Sequence, residues 1–483
     1  MVASTVVVQA EEHDDDAAPS SGVSALTRRA LSLTGDVIAG VTMATVGVPQ
    51  LVACSELSGL PGYRGLLSAG LPMLAFGLTT GHPWLCVGVT SVSALMTKEN
   101  LDGEDYTEAH GVDAYVRLVS VFSLVTGALC ILFAYGGLGE VAREMPKAVA
   151  AGFTWGASVT IVSIQAPDVL FGHGRSFVAA AAREHLVAPP TFLKGFGTLL
   201  KLAWSMVHVE LWNIHTMCFA AVTLFVLLHG RPYLPKACPK GSEVLLITAL
   251  ATMCSAAISY RSYGGVVGEV PGSGGDGGQH SLAVPTYPLP LYRIPGLLLS
   301  AALCAMVNFT QTVSICASFE EAGVSWGARR ELFAQGASCV VAGMTGSPPM
   351  SASLSRSEVQ KTLGTSTRAT AIVNGLILVF LLPAAGLLEH TPKAVLASII
   401  IASIIKKVFL PVGLLELRGQ DALIGWVTGA TVALATPTIG LIVGLIVGLG
   451  LERLAAVLPA VRARFGWHDT RREQAVRTEE VSA

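Results

Sequence analysis

The strongest constraint in this sequence is a recurrence: blocks of about 18–22 apolar residues follow one another along nearly the whole chain. At 1.5 Å of helical rise per residue, each block reaches across a hydrocarbon core of about 30 Å. Composition agrees, with 52% hydrophobic and 13% charged residues among 483, against roughly 25% charged in an ordinary soluble domain. A soluble chain of this length needs far more charge to cover its surface, so the sequence reads as a multi-pass membrane protein. A net charge of −2, with no basic run interleaved with aromatics, argues against a nucleic-acid partner. Residues 1–30 include Glu11, Glu12, Asp14, Asp15 and Asp16 amid Ala and Ser. They read as a disordered acidic tail rather than a signal or transit peptide.

Candidate spans fall near 36–56, 64–80, 86–96, 114–136, 148–168, 205–228, 243–260, 294–318, 331–346, 353–363, 369–388, 393–408, 422–435 and 437–456. The expected fold is therefore an all-α polytopic membrane protein of about 14 transmembrane segments. Links carrying Arg28–Arg29, Arg143 with Lys147, Arg231 with Lys236 and Lys240, Arg329–Arg330, Lys361 with Arg368, and Lys406–Lys407 alternate with less basic ones. That bias places both termini in the cytoplasm. The opposite links include the acidic stretch 98–113, the longer 170–201 and the Gly-rich 264–278. The last of these runs into a Pro-rich segment instead of a helix, so it reads as an external loop and not a phosphate cradle.

Two of the segments are conspicuously short. Cys86–Met96 rises only about 16 Å as a helix, half a bilayer; Pro83 precedes it, and Thr90, Ser91 and Ser93 make it hydroxyl-rich. In the second half, Thr345-Gly346-Ser347-Pro348-Pro349-Met350 interrupts the apolar pattern before Ser351-Ala352-Ser353-Leu354-Ser355-Arg356 opens another short helix. Paired short segments interrupted by Gly and Pro point to the site of an inverted-repeat transporter. Gln50 precedes Ser91 by about forty residues, and Gln311 precedes Ser351 by a similar distance, which favours two related halves of about seven spans each. The expected repeats are 31–260 and 290–458, inside a transporter domain spanning 31–458 and followed by a short cytoplasmic tail, 459–483.

Each helix N-terminus presents unpaired N–H groups and about half a positive charge. Two such ends facing each other at mid-membrane suit an anion, and Arg356 adds a full charge. The competing reading is that Arg356 snorkels to the cytoplasmic headgroups. Hydroxyls at both helix starts can donate to anion oxygens or cap their helices. Gln50 and Gln311 can line the site or tie helices together. The nine cysteines, with no CxxC pair, read as small hydrophobes. Near the head of a span, His208, Glu210 and His215 read as interfacial polar residues, so no metal site and no cofactor is expected. No nucleophile–base pair lies in the spans, which argues against an enzyme.

At these residues the chain resembles the SulP anion transporters, the sulfate permease family that includes the motor protein prestin. The carriers of the resemblance are Asp36 to Gln50 with Leu57-Ser58-Gly59-Leu60-Pro61-Gly62, Val87-Gly88 with Ser91-Val92-Ser93-Ala94-Leu95-Met96, and Val267-Gly268-Glu269-Val270-Pro271. Ser353 through Gln360 and Pro392-Lys393-Ala394-Val395-Leu396 complete it. The resemblance implies core and gate domains moving against each other, with an anion site at the facing starts of half-helices 3 and 10. The implied site residues are Gln50, Cys54, Thr90, Ser91, Gln311, Ser353, Ser355 and Arg356. It implies secondary transport of a small inorganic anion, sulfate first, with chloride/bicarbonate exchange or a channel-like or voltage-responsive protein as alternatives. A homodimer is implied as well; the plasma membrane is the expected bilayer, with an organellar membrane as the alternative.

The departures from that family bear on mechanism. Gln311 and Gln50 stand where many or some members carry a carboxylate, which weakens sodium symport and proton coupling through these positions. Val89 and Thr90 replace the usual proline and the residue after it. The family's usual cytoplasmic STAS domain is not expected, since about thirty residues follow Glu452.

Overall fold

The computed structural model describes residues 22–137, 147–172, 193–233, 242–267, 289–320, 326–363, 365 and 367–457. The chain is helical almost throughout. Its first half holds α1 (Gly22–Leu57), α2 (Arg64–Thr79), strand β1 (Val87–Gly88), α3 (Ser91–Asn100), α4 (Gly103–His110), α5 (Val112–Tyr135) and α6 (Lys147–Leu170). It continues with α7 (Lys194–Val207), α8 (Ile214–His229) and α9 (Ser242–Ala257). The second half holds α10 (Ile294–Glu320), α11 (Ala328–Met344), strand β2 (Ser351–Ala352), α12 (Leu354–Thr362), α13 (Ala369–Leu381) and α14 (Lys393–Phe409). Last come the single turn α15 (Val412–Leu415), then α16 (Gly419–Leu434) and α17 (Pro437–Val457).

The helix packing repeats itself under exchange of the two halves. Where α5 packs on α11, α13 packs on α2; where α1 packs on α13, α10 packs on α5; where α6 packs on α16, α14 packs on α8. Every pair follows from pairing α1 with α10, α2 with α11, α5 with α13, α6 with α14 and α8 with α16. This is the internal symmetry of two inverted repeats. Strands β1 and β2, one from each repeat, run antiparallel, with Val87 opposite Ala352 and Gly88 opposite Ser351.

Glycines permit the closest of these packings. A β-carbon on Gly152 of α6 would lie 2.1 Å from the Gly425 carbonyl oxygen of α16, and one on Gly127 of α5 would lie 2.6 Å from the Val340 amide nitrogen of α11. In lipid no hydrophobic force drives helices together, so association relies on such intimate backbone contact. Helices α1 to α5 and α10 to α13 form one body, the core; α6 to α9 and α14 to α17 form the other, the gate.

Several expectations need correction. The first short helix starts at Ser91 and not Cys86, because Cys86–Gly88 is extended and pairs with β2. The span expected at 205–228 divides at His208 into α7 and α8, with a short 3-10 turn between them. Helix α7 therefore occupies part of the stretch read as the outer loop 170–201, and residues 173–192 lie outside the described residues. The acidic stretch 98–113 holds α4, whose first turn carries Glu104 and Asp105, the sign its dipole favours. The span 369–388 keeps α-geometry only to Leu381, and Pro383 continues it as a 3-10 turn through Leu388. Helix α1 begins at Gly22, inside the tail expected over 1–30; the rest of that tail, 1–21, lies outside the described residues, as do 458–483 and most of the Gly-rich loop, 268–288.

Among the described residues, the polar ties that join core to gate include the following at one end of the molecule. Lys393 of α14 pairs with Glu56 of α1 at 3.4 Å. Thr438 of α17 donates to Asn100 of α3 at 2.6 Å. Lys194 of α7 pairs with Asp102. Tyr115 holds the core side of this end together by donating to the Ser58 carbonyl at 2.7 Å.

Candidate functional site

The two short helices start where the two strands cross. The ladder brings Gly88 and Ser351 opposite each other, and Ser353 donates its amide to the Cys86 carbonyl at 3.0 Å. In return, the Cys86 amide donates to the Ser357 hydroxyl at 3.0 Å. From this crossing α3 and α12 lead away in opposite halves of the chain, spanning 10 and 9 residues, about 15 and 14 Å of rise. Both helix N-termini therefore lie at one place in the middle of the core.

The first-turn amides are mostly unspent. In α3, Thr90 accepts from the Ser93 amide at 3.3 Å, an ordinary N-cap. In α12, Ser353 gives no such cap; its hydroxyl meets that of Ser355 at 3.3 Å instead. Among the described residues, the amides of Leu354, Ser355 and Arg356 take no hydrogen bond, as expected for the start of a helix that awaits an acceptor.

Arg356 lies at the centre of this arrangement. It is 4% exposed, which excludes snorkelling. Its Nη2 reaches the Val89 carbonyl only at 3.4 Å, and its Nε has no partner. No carboxylate pairs with it among the described residues. A β-carbon on Gly88 would lie 2.8 and 2.9 Å from its Nη1 and Nη2, so the missing side chain at Gly88 makes room for the guanidinium. A buried, unpaired cation in the first turn of a helix is doubly unfavourable, since it lacks solvation and faces the positive dipole end. An anion placed there relieves both.

The other expected residues divide into groups. Cys54 is buried in α1. Ser355 is exposed, while Thr90, Ser91, Gln50, Gln311 and Ser353 are half-buried. The Gln311 carbonyl accepts from the Ser351 hydroxyl at 3.0 Å, across the 40 residues that separate them. Gln50, at the matching place in the first repeat, makes no side-chain hydrogen bond among the described residues. Away from this place, His208 stacks on Trp204 at 4.2 Å and His215 on Tyr263 at 5.0 Å.

Sequence reasoning missed the residues that hold the crossing in place. Residues 80–86 cannot bond to themselves as a helix does, so side chains of α11 and α12 satisfy them. Glu331 accepts from the Thr80 hydroxyl at 2.6 Å and the Gly81 amide at 2.8 Å. Arg330 donates to the carbonyls of Thr79 at 3.1 Å and Thr80 at 3.0 Å. Gln360 donates to the Pro83 carbonyl at 2.8 Å, and Trp84 to the Thr365 carbonyl at 2.7 Å. Ser93 closes the other side on the Pro349 carbonyl. Glu331 follows Arg329 and Arg330 at the head of its helix, where a charge needs no special partner, so nothing in the sequence signalled this role.

Two inverted repeats, a core and a gate, and two half-helices meeting at a buried arginine define a multi-pass membrane protein of the inverted-repeat transporter class. The sequence profile of the sulfate permease family matches residues 33–428, and the chain belongs to that family. It is 26% identical over 390 residues to a probable sulfate transporter of Mycobacterium tuberculosis, covering 78% of this chain and 62% of that one. To human solute carrier family 26 member 6 it is 26% identical, over 88% of this chain and 56% of the relative. The chain thus spans less than two thirds of the length of these relatives. Among solved structures, the murine Slc26a9 anion transporter in its inward-facing state superimposes with a TM-score of 0.74 at 17% identity, covering 87% of this chain and 68% of that one. The transmembrane domain of the cyanobacterial bicarbonate transporter BicA does so with a TM-score of 0.66 at 22% identity, over 85% and 97%. These likenesses extend the fold assignment to nearly the whole described chain.

Proposed function

We propose that this chain carries small inorganic anions, sulfate first among them, by alternating access, with the anion seated between the N-termini of α3 and α12. The observation that carries the reading is Arg356: buried, without a carboxylate partner among the described residues, and set where two helix dipoles add to its charge. Two half charges and one full charge sum to about two positive charges, a match for a divalent anion. Gln50, Cys54, Thr90, Ser91, Gln311, Ser353 and Ser355 complete the proposed site. Membership of the sulfate permease family supports the substrate class. Amides at Gln50 and Gln311 leave no carboxylate there to hold sodium or a coupling proton, which favours uniport or anion exchange. The alternation of basic links supports cytoplasmic termini, and the family resemblance supports a homodimer.

Labelled-sulfate uptake into proteoliposomes tests the proposal, with and without anion trapped inside. Saturable uptake accelerated by internal sulfate or chloride is the expected result. Current that rises linearly with voltage and never saturates with sulfate would replace the carrier by a channel.

A further inference from the structure

Selectivity among oxyanions turns on whether a site offers acceptors as well as donors, because a protonated oxyanion brings an O–H that must be placed. At the α3–α12 crossing, four carbonyl acceptors are already engaged. The Val89 carbonyl receives Arg356, the Cys86 carbonyl receives the Ser353 amide, and the Pro349 carbonyl receives Ser93. The fourth is the Gln311 carbonyl, which receives the Ser351 hydroxyl at 3.0 Å. Ser351 is fully buried, and its hydroxyl has no other acceptor among the described residues. If the Gln311 amide turned over, that hydroxyl proton would be stranded, at the cost of a buried unsatisfied donor. The bond therefore fixes which way the amide faces. Its oxygen is turned to Ser351, and its NH2 group, which takes no hydrogen bond among the described residues, is left free for an incoming ligand. Ser351 lies opposite Gly88 in the ladder, and Gly88 is the residue that abuts the Arg356 guanidinium, so this free donor belongs to the same site.

We infer that Ser351 is a positioning residue that turns Gln311 into a dedicated hydrogen-bond donor, biasing the site toward fully deprotonated oxyanions over oxyanions that carry an O–H. The inference rests on the anion site proposed above and deepens it. Sulfate, with acceptors on every oxygen, is welcome in a pocket of donors. Hydrogenphosphate, of the same shape and the same charge at mildly alkaline pH, presents one donor to a pocket in which Gln311 and three backbone carbonyls are already taken; bicarbonate has the same defect. The site hydroxyls and the Gln50 amide oxygen can still accept that proton, so the bias set by Gln311 is one of degree.

The test compares competition by hydrogenphosphate and by selenate, a proton-free analogue, against labelled-sulfate uptake at mildly alkaline pH. Wild-type protein is expected to prefer selenate. S351A frees the Gln311 amide to turn its oxygen inward, and the preference against hydrogenphosphate is expected to narrow about tenfold, while S351T, which keeps the hydroxyl, retains it. Q311M removes donor and acceptor together and is expected to weaken sulfate and hydrogenphosphate alike, leaving their ratio near the wild-type value. Should S351A fail to fold, S351C, whose thiol is a much weaker donor, takes its place and is expected to narrow the ratio in the same direction, read as anion-induced shifts in thermal stability. An S351A ratio equal to wild type, or a wild-type protein indifferent between selenate and hydrogenphosphate, overturns the inference while leaving the transport proposal standing. A wild-type protein that neither transports nor binds any anion overturns both.

Discussion

Gly88 and Arg356 are fitted to each other: a β-carbon on the glycine would lie 2.8 Å from Nη1 of the arginine, and 3.1 Å from a methyl of Leu51. One repeat supplies the vacancy and the other supplies the charge that fills it. The central chemical group of the site thus depends on a residue with no side chain.

Gly88→Ala follows directly. The backbone has room only if the guanidinium moves away, and its flexible end can do so without unfolding the core. The KM for sulfate should rise about tenfold, equivalent to about 1.4 kcal/mol of lost binding, and the melting temperature should fall, because Gly88 holds φ +159°, which side chains rarely adopt. Proteoliposome kinetics and a thermal melt on the same preparation check both halves of this statement.

Much of this arrangement was legible in the sequence, and for physical reasons. Apolar blocks must match the bilayer, so segments such as Val112–Tyr135 and Lys393–Phe409 announce themselves by length. The half-helices do so by Pro83, Gly346 and the Pro348–Pro349 pair, which interrupt that match. Arg356 stood out because an arginine in an apolar span is costly. The strands did not stand out, because two residues each are too few to show an alternation. Helix α7 was hidden because its one-sided apolar face, with Lys194 and Lys201 on the chain, gives a weaker signal than an all-apolar span. The clamp of Arg330 and Glu331 on Thr79–Gly81 was invisible because its partners lie about 250 residues apart.

The gate body rests on Gly152 and Gly425. A valine at Gly152 would drive its β-carbon into the Gly425 carbonyl, 2.1 Å away, where backbone cannot yield. The cost should exceed about 3 kcal/mol, and the variant should fail to yield monodisperse protein in detergent. Gly296→Val is the control, since a β-carbon there meets nothing within 4 Å; it should purify like wild type.

The tie between Glu56 and Lys393 holds core against gate at the end where α1 and α3 finish. The lysine side chain is 40% exposed and the glutamate 11%, so the pair is worth about 0.2–1 kcal/mol, a shift of up to about fivefold in a two-state equilibrium. Glu56→Gln should raise the labelling rate of a cysteine placed at Ser355 by a membrane-impermeant thiol reagent added on that side. Exchanging the two charges, Glu56→Lys with Lys393→Glu, should restore the original rate. Equal rates in all three proteins would show that the pair does not bias the conformational equilibrium.

Glu331 organises the approach to the crossing by accepting from Thr80 and Gly81. Glu331→Gln keeps the shape and replaces one acceptor oxygen by a donor that faces an amide or a hydroxyl already donating. A loss of about 1–3 kcal/mol in stability is expected, read as a lowered melting temperature with sulfate KM changed less than maximal rate.

The account stands or falls on Arg356. Equilibrium binding of labelled sulfate to purified protein, wild type against Arg356→Ala and Arg356→Lys, measures its role without the complications of flux. Alanine should weaken binding at least tenfold and lysine by less, because the charge survives while the planar fork of donors does not. Sulfate affinity unchanged in the alanine variant, with the protein folded, would contradict the claim that a buried arginine between two helix ends is what receives the anion.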